Sequence, residues 1–152
     1  MRKLFCVFSA LFLVLLTACS QYAEPDVFEL MSSVVSGQDV QEMTDANEAE
    51  VEMIFDINLD SVEEYAVRYS GRGGYADMVV IFKLNDSDQA EKTAQILENY
   101  RSSRYDDFKG YAPIEAKKIE DGRVLTYGRY VLLIILPDMQ SAMDAAESAF
   151  TA

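Results

Sequence analysis

Residues Met78 to Leu84 read MVVIFKL, seven positions that are nearly all apolar and rich in β-branched side chains. A short run of this kind between turn residues predicts a central strand of a sheet. Upstream, Tyr65, Val67 and Tyr69 alternate with Glu64, Ala66 and Arg68, the period-two pattern of a half-buried strand. Gly71-Arg72-Gly73-Gly74 breaks the chain between the two segments, so a hairpin loop joins them. Downstream, Ile119, the turn dipeptide Asp121-Gly122, Val124 to Tyr127, Gly128 and the run Tyr130 to Leu136 predict a hairpin or meander of further strands.

Helices flank these strands. Val27, Leu30, Met31, Val34 and Val35 follow the i, i+3, i+4, i+7, i+8 stripe of a helix opened by Pro25-Asp26 and closed at Gly37. Asp45 and Glu48 have capping-box spacing for a second, shorter helix ending near Phe55. A third and longest helix starts at Asp86 or Asp88 and is stopped by Gly110 and Pro113. Pro137-Asp138 opens a last one with Met139, Ala142, Met143, Ala146 and Phe150 on one face. The order is approximately ααββαβββα. It predicts an α+β domain with a mainly antiparallel sheet of four to five strands and helices packed on one face.

The first residues carry a different signal. Arg2 and Lys3 precede Leu4 to Ala18, a segment free of charge. As a helix it reaches roughly 22 Å, short of the ~30 Å hydrocarbon core, which favours a signal peptide over a transmembrane anchor. Leu16-Thr17-Ala18-Cys19 looks like a bacterial lipobox, which implies diacylglyceryl transfer to the Cys19 thiol and cleavage just before it. An ordinary signal peptide cut at Ala18 is the alternative. The expected organisation is residues 1–18 removed, 19–24 as lipidated cysteine and short linker, and 25–152 as a single domain. The product would be anchored on the extracytoplasmic face of the cell membrane through the lipid on Cys19. The other cysteine, Cys6, lies in the leader, so no intrachain disulfide is available after processing.

Several stretches together resemble a known family. They are Asp60-Ser61-Val62-Glu63-Glu64-Tyr65, Tyr75-Ala76-Asp77-Met78-Val79-Val80, Phe108-Lys109-Gly110-Tyr111-Ala112-Pro113 and Gly128-Arg129-Tyr130-Val131-Leu132-Leu133. The family is one of small lipoproteins, mainly of Gram-positive bacteria, catalogued as a domain of unknown function. The resemblance implies a lipobox, a single extracytoplasmic α+β domain and no established activity. It assigns no catalytic or binding residues.

Charge and missing residue types narrow the chemistry. The formal net charge is −13, and the stretch from Cys19 to Val67 holds half of the 26 Asp and Glu residues with no Lys or Arg. Such a chain repels nucleic acid phosphates and anionic headgroups. Histidine is absent, which removes Ser-His-Asp and Cys-His nucleophile systems and His/Cys zinc sites. Gly71 to Ala76 matches G-x-G-x-x-A, but that fingerprint needs a helix directly behind it and a strand follows here. Asp56-Ile57-Asn58-Leu59-Asp60 begins like a calcium loop, yet Ser61 stands where glycine is needed and Val67 where a bidentate glutamate is needed. Asp56 and Asp60 remain weak metal candidates, and turn chemistry is the plainer role for them.

Tyr100, Tyr105, Phe108 and Tyr111, with Arg101 and Arg104 among them, form a basic-aromatic cluster, either a partner contact through Arg101, Arg104, Tyr105 and Tyr111 or the end of the long helix packing on the sheet. No cofactor is expected. The reading is a non-catalytic binding or accessory module at the cell envelope with an unknown partner. A weak calcium-binding protein and a carboxylate-dependent hydrolase are the alternatives.

Overall fold

A computed structural model describes residues 22–151. The leader, the lipobox and Cys19 lie outside the described residues. Helix α1 spans Val27–Val35, where the Asp26 carboxylate accepts from the Phe28 and Glu29 amides at 2.9 and 3.0 Å. Strand β1 (Met43–Asp45) and helix α2 (Glu48–Phe55) follow, then strands β2 (Val62–Ser70) and β3 (Met78–Leu84). Helix α3 (Ala90–Phe108) is entered through a 3-10 turn at Ser87–Gln89, and helix α4 spans Pro113–Asp121. Strands β4 (Arg123–Tyr127) and β5 (Tyr130–Ile135) and helix α5 (Met139–Thr151) complete the chain.

The five strands form one sheet in the order β1-β2-β3-β5-β4, with every neighbouring pair antiparallel. The α+β class and the antiparallel sheet are as the sequence predicts. MVVIFKL sits at its centre, Val80 lying opposite Val67 of β2 and Leu133 of β5.

Helices cover both faces of this sheet rather than one. Met78, Val80, Phe82 and Leu84 of β3, with Val131, Leu133 and Ile135 of β5, pack under Val51, Phe55, Leu97, Phe108 and Ile119 from α2, α3 and α4. Val79, Ile81, Tyr130, Leu132 and Ile134 face the other way, onto Val27, Leu30, Met31, Val34, Ala142, Ala146 and Phe150 from α1 and α5. Successive side chains of a strand point to opposite faces. An uninterrupted apolar strand therefore needs cover on both sides, and a one-sided packing would leave half of MVVIFKL in water.

Three boundaries also differ from expectation. The capping box of α2 is Asn47 with Glu50. Asp45 instead ends β1 opposite Arg68, with which it pairs at 2.5 Å, so the helix begins only after the strand is complete. Ile119 belongs to α4, not to a strand. Pro113 occupies the first turn of that helix, where its missing N–H costs nothing and its fixed φ is already helical. Residues 22–24, expected in the linker, are docked on the body. The Tyr22 ring meets Tyr127 edge-on at 5.6 Å, Ala23 N donates to Phe150 O at 3.2 Å, and Glu24 pairs with Arg129 at 2.6 Å. Tyr130 Oη donates to Pro25 O at 2.8 Å beside them.

Gly122 links α4 to β4 with its backbone pressed against β5. A Cβ there would lie 2.9 Å from Ile135 Cγ1 and 3.0 Å from the carbonyl oxygens of Ile119 and Ile134. Gly122→Ala is expected to lower stability by about 1–3 kcal/mol, measured by urea unfolding. A variant as stable as the parent would show that β4 has room to move away.

Candidate functional site

The β2–β3 hairpin loop and the far end of α3 enclose a shallow groove of about 330 Å³. From the loop side come Tyr69, Arg72 and Tyr75, and from α3 and the turn after it Tyr100, Arg104 and Tyr111. Ile54, Met78 and Phe108 line it beneath. The loop closes tightly because Gly74 sits at φ +98, a left-handed conformation that side chains oppose. Tyr75 N bonds back to Arg72 O at 3.4 Å.

The aromatic wall is graded from buried to open. Tyr100 packs its ring on Phe55 with centroids 4.8 Å apart, and burial raises the pKa of its hydroxyl. Tyr69 donates to Glu50 Oε1 at 3.3 Å, and burial first, then the Glu50 charge, raises its pKa too. Tyr75 and Tyr111 stand at the rim, 38% and 64% exposed. The Arg104 guanidinium lies over the Phe108 ring at 4.5 Å, a cation–π contact that fixes its plane.

Arg72 and Arg104 reach this groove without an ion pair, a property that Lys92 and Arg123 share outside it among the described residues. Neither guanidinium has an ion-pair partner among the described residues, whereas Arg68, Lys83, Arg101, Lys109, Lys117, Lys118 and Arg129 are all paired. Two planar cations with free donors thus meet four tyrosines in one concavity.

The sequence-predicted candidates divide. Arg104 and Tyr111 line the groove. Arg101 turns away, pairing with Glu98 and donating to Ile119 O at 3.0 Å and Glu120 O at 3.3 Å. It closes the C-terminal end of α4, where carbonyls lack helical partners. Tyr105 packs against the core. Asp56 is the left-handed C-cap of α2, and Asp60 lies in a 3-10 turn whose amide donates to Asn58 Oδ1 at 2.7 Å. Among the described residues no group of three or more Asp, Glu, His or Cys side chains is placed to hold a metal ion.

Tyr100 and Phe108 of the sequence cluster also line the groove, whereas nothing in the sequence singles out Tyr69, Arg72 and Tyr75 as site residues. Gly71 to Ala76 stands out in the sequence as a glycine motif, and its aromatic and basic members are the usable signal. The strand read after that motif is observed: Met78 opens β3.

Below the loop lies a charged cluster. Asp77 is 2% exposed, and the Lys118 ammonium reaches its carboxylate at 2.6 Å and that of Glu115 at 2.9 Å. Glu115 Oε2 also accepts from Ala76 N at 2.8 Å, so the cluster ties the hairpin to α4. Burial pulls the Lys118 pKa down, but the bonds to Asp77 and Glu115 outweigh it and the net direction is up. Both carboxylates of this pair are engaged by one cation.

The geometry describes a small layered α+β domain with an aromatic and cationic groove at one end of its sheet. Its place among known proteins agrees in scale. A family model described as "Domain of unknown function (DUF4358)" matches residues 36–136, and the chain belongs to that family. No curated protein and no solved structure matches it. The matched span holds all five strands and helices α2, α3 and α4, and the whole groove falls inside it. No described helix is long and apolar enough to cross a membrane.

Lys118→Met strands the Asp77 carboxylate in the interior. Loss of about 3–5 kcal/mol is expected, while Asp77→Asn with Lys118→Met recovers part of it, read by denaturant melts. Equal losses in the single and double variants would mean that the ion pair is not what holds this corner.

Proposed function

We propose that this chain is a lipid-anchored, extracytoplasmic binding module without catalytic chemistry, and that the tyrosine-arginine groove is its ligand site. The ligand class is an anionic glycan of the cell envelope. Sugar rings lie against tyrosine faces, and a carboxylate or phosphate suits the planar guanidinium fork. The observation that carries this reading is the pair of unpartnered arginines, Arg72 and Arg104, set among four tyrosines on a chain of net charge −13.

The tether supports the same reading. β3 runs from the groove at Met78 to Leu84, whose amide donates to Arg129 O at 2.8 Å. Arg129 holds Glu24, only five positions after Cys19. Groove and Glu24 therefore lie at opposite ends of a strand roughly 20 Å long, so a lipid on Cys19 would turn the groove away from the bilayer. The acidic half of the chain further holds the body off anionic headgroups.

Anchoring is tested by fractionating cells that express the full chain. The parent is expected in the membrane fraction with an acylated sulfur at position 19 by mass spectrometry, and Cys19→Ser in the soluble one. A free thiol at that position in native material would overturn it. Ligand binding is tested on the full chain in detergent by calorimetry with oligogalacturonate, using neutral dextran as control. Arg72→Gln with Arg104→Gln is expected to weaken oligogalacturonate at least about tenfold, since each charge-assisted bond contributes about 1.5–3 kcal/mol. Equal binding by parent and variant, or equal binding of dextran, would overturn the groove as the site.

A further inference from the structure

We propose that the open edge of β2 around Tyr65 is a docking site for an extended basic segment of a partner polypeptide, which joins the sheet as an added strand. This edge lies apart from the groove and does not depend on its ligand.

The sheet is unfinished on that side. β2 has nine residues, but β1 has three and pairs only with Arg68, Tyr69 and Ser70. One more bond follows, Ala46 N to Val67 O at 2.9 Å, and the chain then departs into α2 under the Asn47 cap. Backbone groups of successive strand residues alternate between the two sides of the strand. Val67 directs its carbonyl to the β1 side, so Tyr65, two residues earlier, directs its N–H and C=O there as well. Beyond Ala46 no described backbone group continues that ladder. Unpaired edge groups of this kind are a template for another strand.

The edge is also shaped. It borders a concavity of about 580 Å³, larger than the tyrosine-arginine groove. Phe28 and Met31 of α1 form one wall, and Leu59 and Val62 line it as well. Phe28 is 63% exposed, although Val27, Leu30 and Met31 around it are buried. An apolar side chain on an added strand would cover it, as alternate residues do in strand addition.

Charge selects the occupant. Asp45, Glu48, Glu63 and Glu64 rim the concavity, and its one cation, Arg68, is already paired with Asp45. Lys83 reaches Glu63 at 2.8 Å and Glu64 at 3.6 Å, and Arg129 also holds Glu63, which leaves Glu48 with no cation among the described residues. A second copy would bring the same carboxylates face to face on chains that each carry −13, and like charges across a strand pair are unfavourable. A segment alternating lysine or arginine with apolar residues meets Glu48, Phe28 and the open ladder together.

The test titrates the full chain in detergent with a synthetic peptide alternating lysine and valine, read by amide NMR. Saturable binding is expected, with shifts and slowed hydrogen exchange at Tyr65 rather than at Tyr75 and Tyr111. Methylating alternate peptide nitrogens keeps the charge and removes the ladder donors, so it should abolish binding. Replacing lysine by glutamate should abolish it too, and Glu48→Gln with Glu64→Gln should weaken it about fivefold to tenfold. Binding that survives methylation would be diffuse charge attraction and would overturn the proposal. So would absent binding, or self-association of the chain that protects Tyr65 without any peptide.

Discussion

Two neighbouring strands, β3 and β5, have no face they can leave in water. Met78–Leu84 and Tyr130–Ile135 are apolar at almost every position and lie side by side in register. At roughly 25 cal/mol per Å² of apolar surface removed from water, burying both faces is a large driving force, and much of the surrounding structure follows from meeting it. β2 and β4 close the flanks of the pair. α2, α3 and α4 cover one face, and α1 and α5 cover the other. Lys83 is the exception, and its ammonium reaches Glu63 on β2 at the end of the strand.

Fixing this double-sided centre sorts the two ends of the sheet into different environments. At the Leu84 end the chain enters from its N-terminal side and is clasped at once by Tyr22, Glu24 and Pro25 against Tyr127, Arg129 and Tyr130. Hydrogen bonding to Arg129 lowers the Glu24 pKa, and bonding to Lys83 and then Arg129 lowers that of Glu63. At the Met78 end the strands open into a hairpin loop that the long α3 overhangs. There the groove is lined by tyrosines and by arginines without ion pairs, above the buried cluster of Asp77, Glu115 and Lys118.

The sequence made some of this plain and hid the rest for identifiable reasons. Strong periodicity located α1, α5 and the central strands, and the apolar content of β3 was itself a sign of two covered faces. Boundaries failed where one residue type serves two uses. Pro113 ends one helix and begins the next, so Ile119 was placed in a strand. Two capping-box spacings overlap, Asp45 with Glu48 and Asn47 with Glu50, and strand pairing to Arg68 decides between them. The groove was half legible. Arg104 and Tyr111 belong to one local cluster, but Tyr69, Arg72 and Tyr75 lie about thirty residues away, and no local pattern states that α3 will bring them together. Arg101 and Arg104 look alike in sequence, and only the position of α4 beside the first separates scaffold from site.

The family boundary at residues 36–136 adds a last step. It takes in the sheet and the helices on one face, and it leaves α1 and α5 outside. Yet β3 and β5 cannot stand with that second face bare, because Val79, Ile81, Leu132 and Ile134 have no other cover. Some apolar layer is therefore a physical requirement of the fold, whatever sequence supplies it. Here α1 supplies half of that layer and carries one turn further a task of its own. Its buried stripe holds the sheet, while Phe28, off that stripe, reaches the unfinished edge of β2. The chain thus places its groove within the shared body of the family and part of its second surface on a helix beyond the matched span.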